Sequence, residues 1–179
     1  TSNFETIYVS LTDLTTGCRS TGSFNLIVQP LPTTVVMTSL DICDDDTDGF
    51  GAFTLTDKDI EALDGQLGVQ LSYHASQLDV DLDQNPLASP YTNTTADLQT
   101  IFVRIENTTT DCYNSMSLEL VVNPLPIPNA PLSQTVCDDD FDGFATFDLT
   151  DAGLFVVGTQ LGMEVSFHTS STDADANLD

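Results

Sequence analysis

The stretch Cys43-Asp44-Asp45-Asp46-Thr47-Asp48-Gly49-Phe50 recurs 94 residues later as Cys137-Asp138-Asp139-Asp140-Phe141-Asp142-Gly143-Phe144. A long internal period leaves a chain few choices: it folds as a row of similar units joined by short connections. The period runs without gaps. Cys18 and Cys112 obey it, as do Pro30-Leu31-Pro32 and Pro124-Leu125-Pro126, and Gln66-Leu67-Gly68 and Gln160-Leu161-Gly162. Residues 127–179 align on residues 33–85 with 20 identities in 53 positions, which makes the relation one of whole modules rather than of a shared motif. The predicted organisation is one complete module, residues 33–126. The C-terminal part of a first module (1–32) precedes it, and the N-terminal part of a third (127–179) follows. Half a module leaves a bare apolar face and open strand edges. The expectation is therefore a segment of a much longer repetitive protein, with adjacent modules of the same chain as its nearest partners.

Each module reads as β-structure. Residues 100–105 and 116–122 are β-rich runs, the second cleanly alternating, with Asn107-Thr108-Thr109-Thr110-Asp111-Cys112 as the turn between them. Residues 6–11 and 23–28 repeat that terminal hairpin. Upstream, residues 51–56 and 69–74 are two more strands, joined by a short helical crossover over residues 56–63 with Thr56 as its cap. Ser76-Gln77-Leu78-Asp79 opens a second brief turn. Several short strands with turns every few residues predict an all-β fold of tandem immunoglobulin-like β-sandwich modules. The linkers, residues 29–34 and 123–131, are proline-rich and hence extended and semi-rigid.

Charge excludes whole classes of partner. Only Arg19, Lys58 and Arg104 oppose 28 acidic residues, a net charge of −25. Nucleic acid and anionic lipid are ruled out as direct partners. A hydrophobic fraction of 40% still supplies ordinary cores, so this is no disordered acidic tail. No apolar run approaches the ~20 residues of a membrane span, so membrane insertion is not expected. Self-repulsion on this scale calls for dissolved salt or bound cations, which fits an extracellular setting.

The repeated acidic loop offers such a cation site. Asp44, Asp46 and Asp48 alternate and Gly49 permits a sharp turn, the opening of the D-x-[DN]-x-[DN]-G pattern that holds calcium through hard oxygen ligands. The Phe50 carbonyl is the next natural ligand. The EF-hand continuation fails, because Leu55 stands where that loop needs glutamate and a strand follows instead of a helix. A distal carboxylate has to come from elsewhere, and Asp57 is the candidate because its counterpart Asp151 recurs. The second site comprises Asp138, Asp140, Asp142, the Phe144 carbonyl and Asp151. Asp79 and Asp81, recurring as Asp173 and Asp175, read as a solvated turn.

Four cysteines, two per period, fit disulphides in an oxidising compartment. Two schemes obey the repeat. Cys43–Cys112 closes the complete module on itself and leaves Cys18 and Cys137 to partners beyond; this is favoured because each module then folds alone. Alternatively, Cys18–Cys43 and Cys112–Cys137 each bridge a linker. Catalytic patterns are thin. His74 and His168 recur on a strand two residues after a serine, without a positioned acid, and read as structural. The sequons at Asn93 and Asn107 carry little weight.

The succession CDDDxDGFxxFxLT, SYH or SFH, NPLxSPYTNTT, TIFVRIEN, DCY and VVNPLP resembles the repeats of very large cell-surface proteins of Bacteroidota, flavobacteria above all. Those are similar to gliding-motility-associated adhesins exported by type IX secretion. The resemblance implies a filament or stalk on the bacterial outer surface. The resulting expectation is a non-enzymatic, calcium-stiffened stalk segment of a surface adhesin, with any surface glycan or cell target bound by other regions. The alternatives are a glycan- or cell-binding sandwich and an accessory β-domain of a secreted hydrolase. The absence of tryptophan weakens the binding alternative.

Overall fold

A computed structural model describes residues 3–177. It divides after Pro124 into two compact units. In the first unit, β1 (Asn3–Thr12) and β2 (Arg19–Val28) form an antiparallel hairpin. Next come β3 (Leu40–Asp44), β4 (Ala52–Phe53), a 3-10 turn (Leu55–Lys58), α1 (Asp59–Leu63), β5 (Val69–His74) and α2 (Gln77–Leu82). Then follow β6 (Tyr91–Thr92), β7 (Leu98–Asn107) and β8 (Tyr113–Pro124). The main sheet has the order β3-β8-β7-β5; β3 lies parallel to β8 and the other pairs are antiparallel. The two-residue strands β4 and β6 pair with each other. The fold is β-rich.

Alternation explains why β7 and β8 dominate, since successive side chains point to opposite faces. Ile101, Val103 and Ile105 of β7 and Met116, Leu118, Leu120 and Val122 of β8 line one buried face. Phe53 and Leu55 cover it from the β4 side, with Ala62 of α1 and Tyr73 of β5 completing the core. On the opposite face α2 lies close, where Arg104 donates from Nη1 to the Val80 carbonyl at 2.8 Å.

Several elements differ from the sequence reading. The strand expected over residues 51–56 shrinks to Ala52–Phe53, because buried Leu55 starts the 3-10 turn. Thr56 lies inside that turn and not at its cap, and neither Thr54 nor Lys58 makes a side-chain capping bond. Burial of Leu55 and Ala62 anchors the crossover instead. Strand β3 was not foreseen. Its register sets Leu40 beside Leu120 and Asp44 beside Pro124.

That register fixes the direction of the module. Just upstream, Asn114 Nδ2 donates to the Pro32 carbonyl at 3.2 Å, and Val35 and Met37 pack against the core. The chain thus arrives at the start of β8, runs beside it in the same direction, and reaches its end at Asp44. Entry and exit lie at opposite poles of the sheet.

The second unit, described by itself, contains α3 (Thr150–Val157) and α4 (Ser171–Ala176). It has no strand among the described residues. In both units a serine opens the later helix: Ser76 Oγ accepts from the Asp79 N–H and Ser170 Oγ from the Asp173 N–H, each at 3.1 Å. Asp79 and Asp173 therefore belong to helix caps. Among the described residues no helix is long and apolar enough to cross a membrane.

Candidate metal centre

The first acidic loop is organised around one carboxylate. Asp44 is buried at the end of β3, and its Oδ1 accepts from the N–H groups of Thr47 at 2.8 Å and Asp48 at 3.3 Å. Its Oδ2 accepts from Gly49 N–H at 3.0 Å. Asp48 Oδ1 in turn accepts from Phe50 N–H at 2.8 Å. These bonds curl the loop so that carboxylate oxygens of Asp44, Asp46 and Asp48 lie within 4.8 Å of one another. Desolvation, and then the adjoining Asp48 carboxylate, raise Asp46 above the ordinary aspartate value. A divalent cation relieves such crowding, and the donor set is all oxygen, as calcium prefers.

A wall behind the loop fixes it further. Asn93 Oδ1 accepts from Gly51 N–H at 2.8 Å, while its Nδ2 donates to the carbonyls of Gly49 at 2.9 Å and Thr95 at 2.8 Å. Asp97 N–H donates to the Gly49 carbonyl at 2.9 Å. Gly49 adopts φ +77°, and a Cβ there would sit 2.7 Å from Asp97 Oδ1 and 2.9 Å from the Ala96 Cβ. Only glycine fits both the turn and the wall. The buried, fully bonded Asn93 amide also removes that sequon from use as an acceptor site.

The second loop reproduces the turn. Asp138 accepts from Phe141 N–H at 2.8 Å and Gly143 N–H at 3.0 Å, and Asp142 accepts from Phe144 N–H at 2.8 Å. Asp138, Asp140 and Asp142 are again within 4.8 Å of one another, though all are exposed. Bonding from Gly143 N–H, foremost, holds the Asp138 carboxyl below its usual range. The remaining candidates lie apart from these groups. Asp57 sits in the 3-10 turn and Asp151 in the first turn of α3, and neither belongs to a carboxylate group. Phe50 and Phe144 are placed by their N–H bonds to Asp48 and Asp142.

Other polar groups serve the fold. His74 is fully buried, with Nδ1 2.8 Å from the Gln84 carbonyl and Nε2 2.8 Å from Ser72 Oγ. The carbonyl requires a proton on Nδ1, so Nε2 accepts from the serine. Both nitrogens are engaged, as a structural histidine requires. Arg104, which sequence reasoning passed over, is the polar hub of the outer sheet face. It pairs with buried Glu106, lies 3.6 Å from the Tyr113 ring centroid and approaches Asp83 at 3.7 Å. An arginine and a glutamate two apart on one strand share a face, and that was the available signal.

A cleft of about 380 Å³ opens beside Thr56, Asp59, Leu71, Tyr73, Leu87 and Ser89. Tyr73 donates its hydroxyl to Asp59 at 2.7 Å, and burial, then Asp59, push its pKa up. The aligned positions in the second copy hold Phe167 and Gly153, so this pair is not part of the repeated design.

The repeated Gln-Leu-Gly does have a role. Gln66 Oε1 accepts from Thr33 N–H at 2.9 Å and its Nε2 donates to the Thr33 carbonyl at 3.0 Å. Gln160 grips Ile127 in the same two-bond manner, at 3.1 and 2.7 Å. One glutamine thus fastens each proline linker to the module that follows it.

The cysteines require a correction. All four are unbonded. The favoured Cys43–Cys112 bridge does not fit this sheet, because Cys43 stands beside Asn123 near the end of β8 while Cys112 directly precedes its first residue, Tyr113. At about 3.3 Å per strand residue they are roughly 35 Å apart, far beyond the ~7 Å Cα limit of a disulphide.

No curated protein matches the chain. A family model, the Flavobacterium inter-domain disulphide bond domain, matches residues 39–126 and again residues 133–179. The second match opens 94 residues after the first, in step with the sequence period. Both matches include an acidic loop and its cysteine. The chain belongs to the Flavobacterium inter-domain disulphide bond domain family.

Proposed function

We propose that this chain is a length of non-enzymatic stalk on the outer surface of a flavobacterial cell. Its immunoglobulin-like modules are joined by inter-domain disulphides and stiffened by calcium. The observation that carries the reading is the placement of entry and exit at opposite poles of β8. Modules built this way add length when repeated. The β3-β8-β7-β5 order, with its first strand parallel to its last, supports the immunoglobulin-like reading. The glutamine grip on each linker supports stiffness. The family description supports the bridges.

Calcium takes Asp44, Asp46 and Asp48 in one loop and Asp138, Asp140 and Asp142 in the other, completing its shell with backbone carbonyls and water. Asp44 lies beside Pro124, so the filled site stands where the chain leaves the module. The charge of −25 gives such binding a purpose, because each ion removes repulsion at that point. An adhesin of the gliding-motility type is the larger protein proposed, with adhesive contacts made by other regions.

Small-angle scattering on proteins with two, three and four modules tests the reading. The maximum dimension should rise linearly with module number in millimolar calcium, and the profiles should shift toward flexibility in chelator. A maximum dimension that stays nearly constant as modules are added would overturn the stalk. Identical profiles with and without calcium would remove the stiffening role of the ion.

A further inference from the structure

Each pole of the complete module carries one unbonded thiol. Cys43 is exposed at the exit pole, beside Asn123, and Cys112 is half-buried at the entry pole, next to the strand end that holds Pro32. Three pairings are open to a tandem chain built this way. Bonding within a module fails on distance, as shown above. Bonding across a linker, Cys18–Cys43 or Cys112–Cys137, joins the entry pole of one module to the exit pole of the next. Those two poles meet only where the chain doubles back at Pro-Leu-Pro and lays modules flank to flank. With 28 acidic residues against three basic ones, such lateral contact is resisted along its whole length. Extended proline segments oppose the reversal as well.

The third pairing needs neither a reversal nor lateral contact. We infer that the inter-domain bridge joins Cys43 to the counterpart of Cys112 in the following module, pole to adjoining pole. By the same rule Cys112 bonds the counterpart of Cys43 in the preceding module. This pairing rests on the stalk reading and specifies its covalent plan. Every bridge spans the junction beside the folded linker, so two covalent connections tie each pair of neighbours. The four cysteines of this sequence then have no partners among themselves. Bond formation removes two protons and two electrons, which a donor disulphide accepts. One thiolate attacks the donor, releasing a donor thiol and leaving a mixed disulphide; the second thiolate attacks that intermediate and expels the other donor thiol.

The test uses residues 1–179 followed by a second copy of residues 86–126, which completes the third module. Thr109→Ser in the added copy gives its cysteine peptide a distinct mass. The dilute protein is oxidised in a glutathione buffer, its free thiols are titrated, and it is digested without reduction. The expected result is one bridge, between the Cys43 peptide and the marked peptide, with free thiols falling from five to three. Cys43→Ser should restore the marked thiol and create no other bond. Bridges Cys18–Cys43 and Cys112–Cys137 would overturn this pairing while leaving a disulphide-linked stalk in place. Full retention of free thiols in the folded protein would overturn the pairing and the bridged stalk together.

Discussion

In residues 33–85 the segment after the linker forms β3, β4 and β5; in residues 127–179 the aligned segment forms α3 and α4 and no strand among the described residues. The two copies share their acidic loop, their glutamine grip and their serine cap. What separates them is a partner. β3 takes its hydrogen bonds from β8 and β5 from β7, and both partners are supplied by residues 98–124 of the same unit. Loops, caps and grips are therefore encoded within a few residues, whereas strand structure here is conferred by the neighbouring strand. The hairpins teach the same lesson from the other side. β1–β2 keeps its ladder, yet Leu11 is 73% exposed where its aligned residue Ile105 is fully buried.

The sharpest way to break this comparison is to truncate that aligned pair. Ile105→Ala should destabilise the first unit by about 2–5 kcal/mol, through lost burial and a cavity. Leu11→Ala should stay within about 0.5 kcal/mol, as for an exposed site. Denaturant unfolding with hydrogen exchange read separately on β1 and β7 measures both; equal effects would mean that the free hairpin is packed after all.

A smaller change probes the wall behind the first loop. Asn93→Ala unpairs Gly51 N–H and the Thr95 carbonyl and removes one of the two donors to the Gly49 carbonyl, and should cost about 1–3 kcal/mol. By titration calorimetry the calcium binding proposed for the first loop should weaken with it. Unchanged affinity would show that the turn alone, Asp44 with its three N–H donors, organises the ligands.

The smallest expected effect is also the most symmetric. Ser76→Ala and Ser170→Ala each delete one helix cap and should each lower local stability by about 1 kcal/mol, read as faster amide exchange in α2 and α4. A loss confined to α2 would show that the cap depends on the sheet, against the local character assigned to it.

The residues themselves show which features could be read early. β5, β7 and β8 were legible because alternation and β-branched side chains report one buried face, and the first hairpin because it repeats the pattern of β7 and β8. The two carboxylate groups were legible because alternation, a glycine and recurrence coincide. β3 was not, since Leu40-Asp41-Ile42-Cys43 is a strand only by virtue of β8. Asn93 was hidden within a sequon, and Arg104 within a β-run, because their roles lie in distant partners such as Gly49 and Val80. Cysteine spacing likewise could not distinguish poles; the parallel register of β3 on β8 does.

That parallel register has a mechanical consequence. Tension drawn between Pro32 and Pro124 pulls β3 backward through its N-terminus and β8 forward through its C-terminus. The two strands must slide along each other, and the evenly spaced bonds of a parallel pair are loaded together instead of opening one after another. A module loaded in shear resists force by the height of its unfolding barrier, whatever its equilibrium stability.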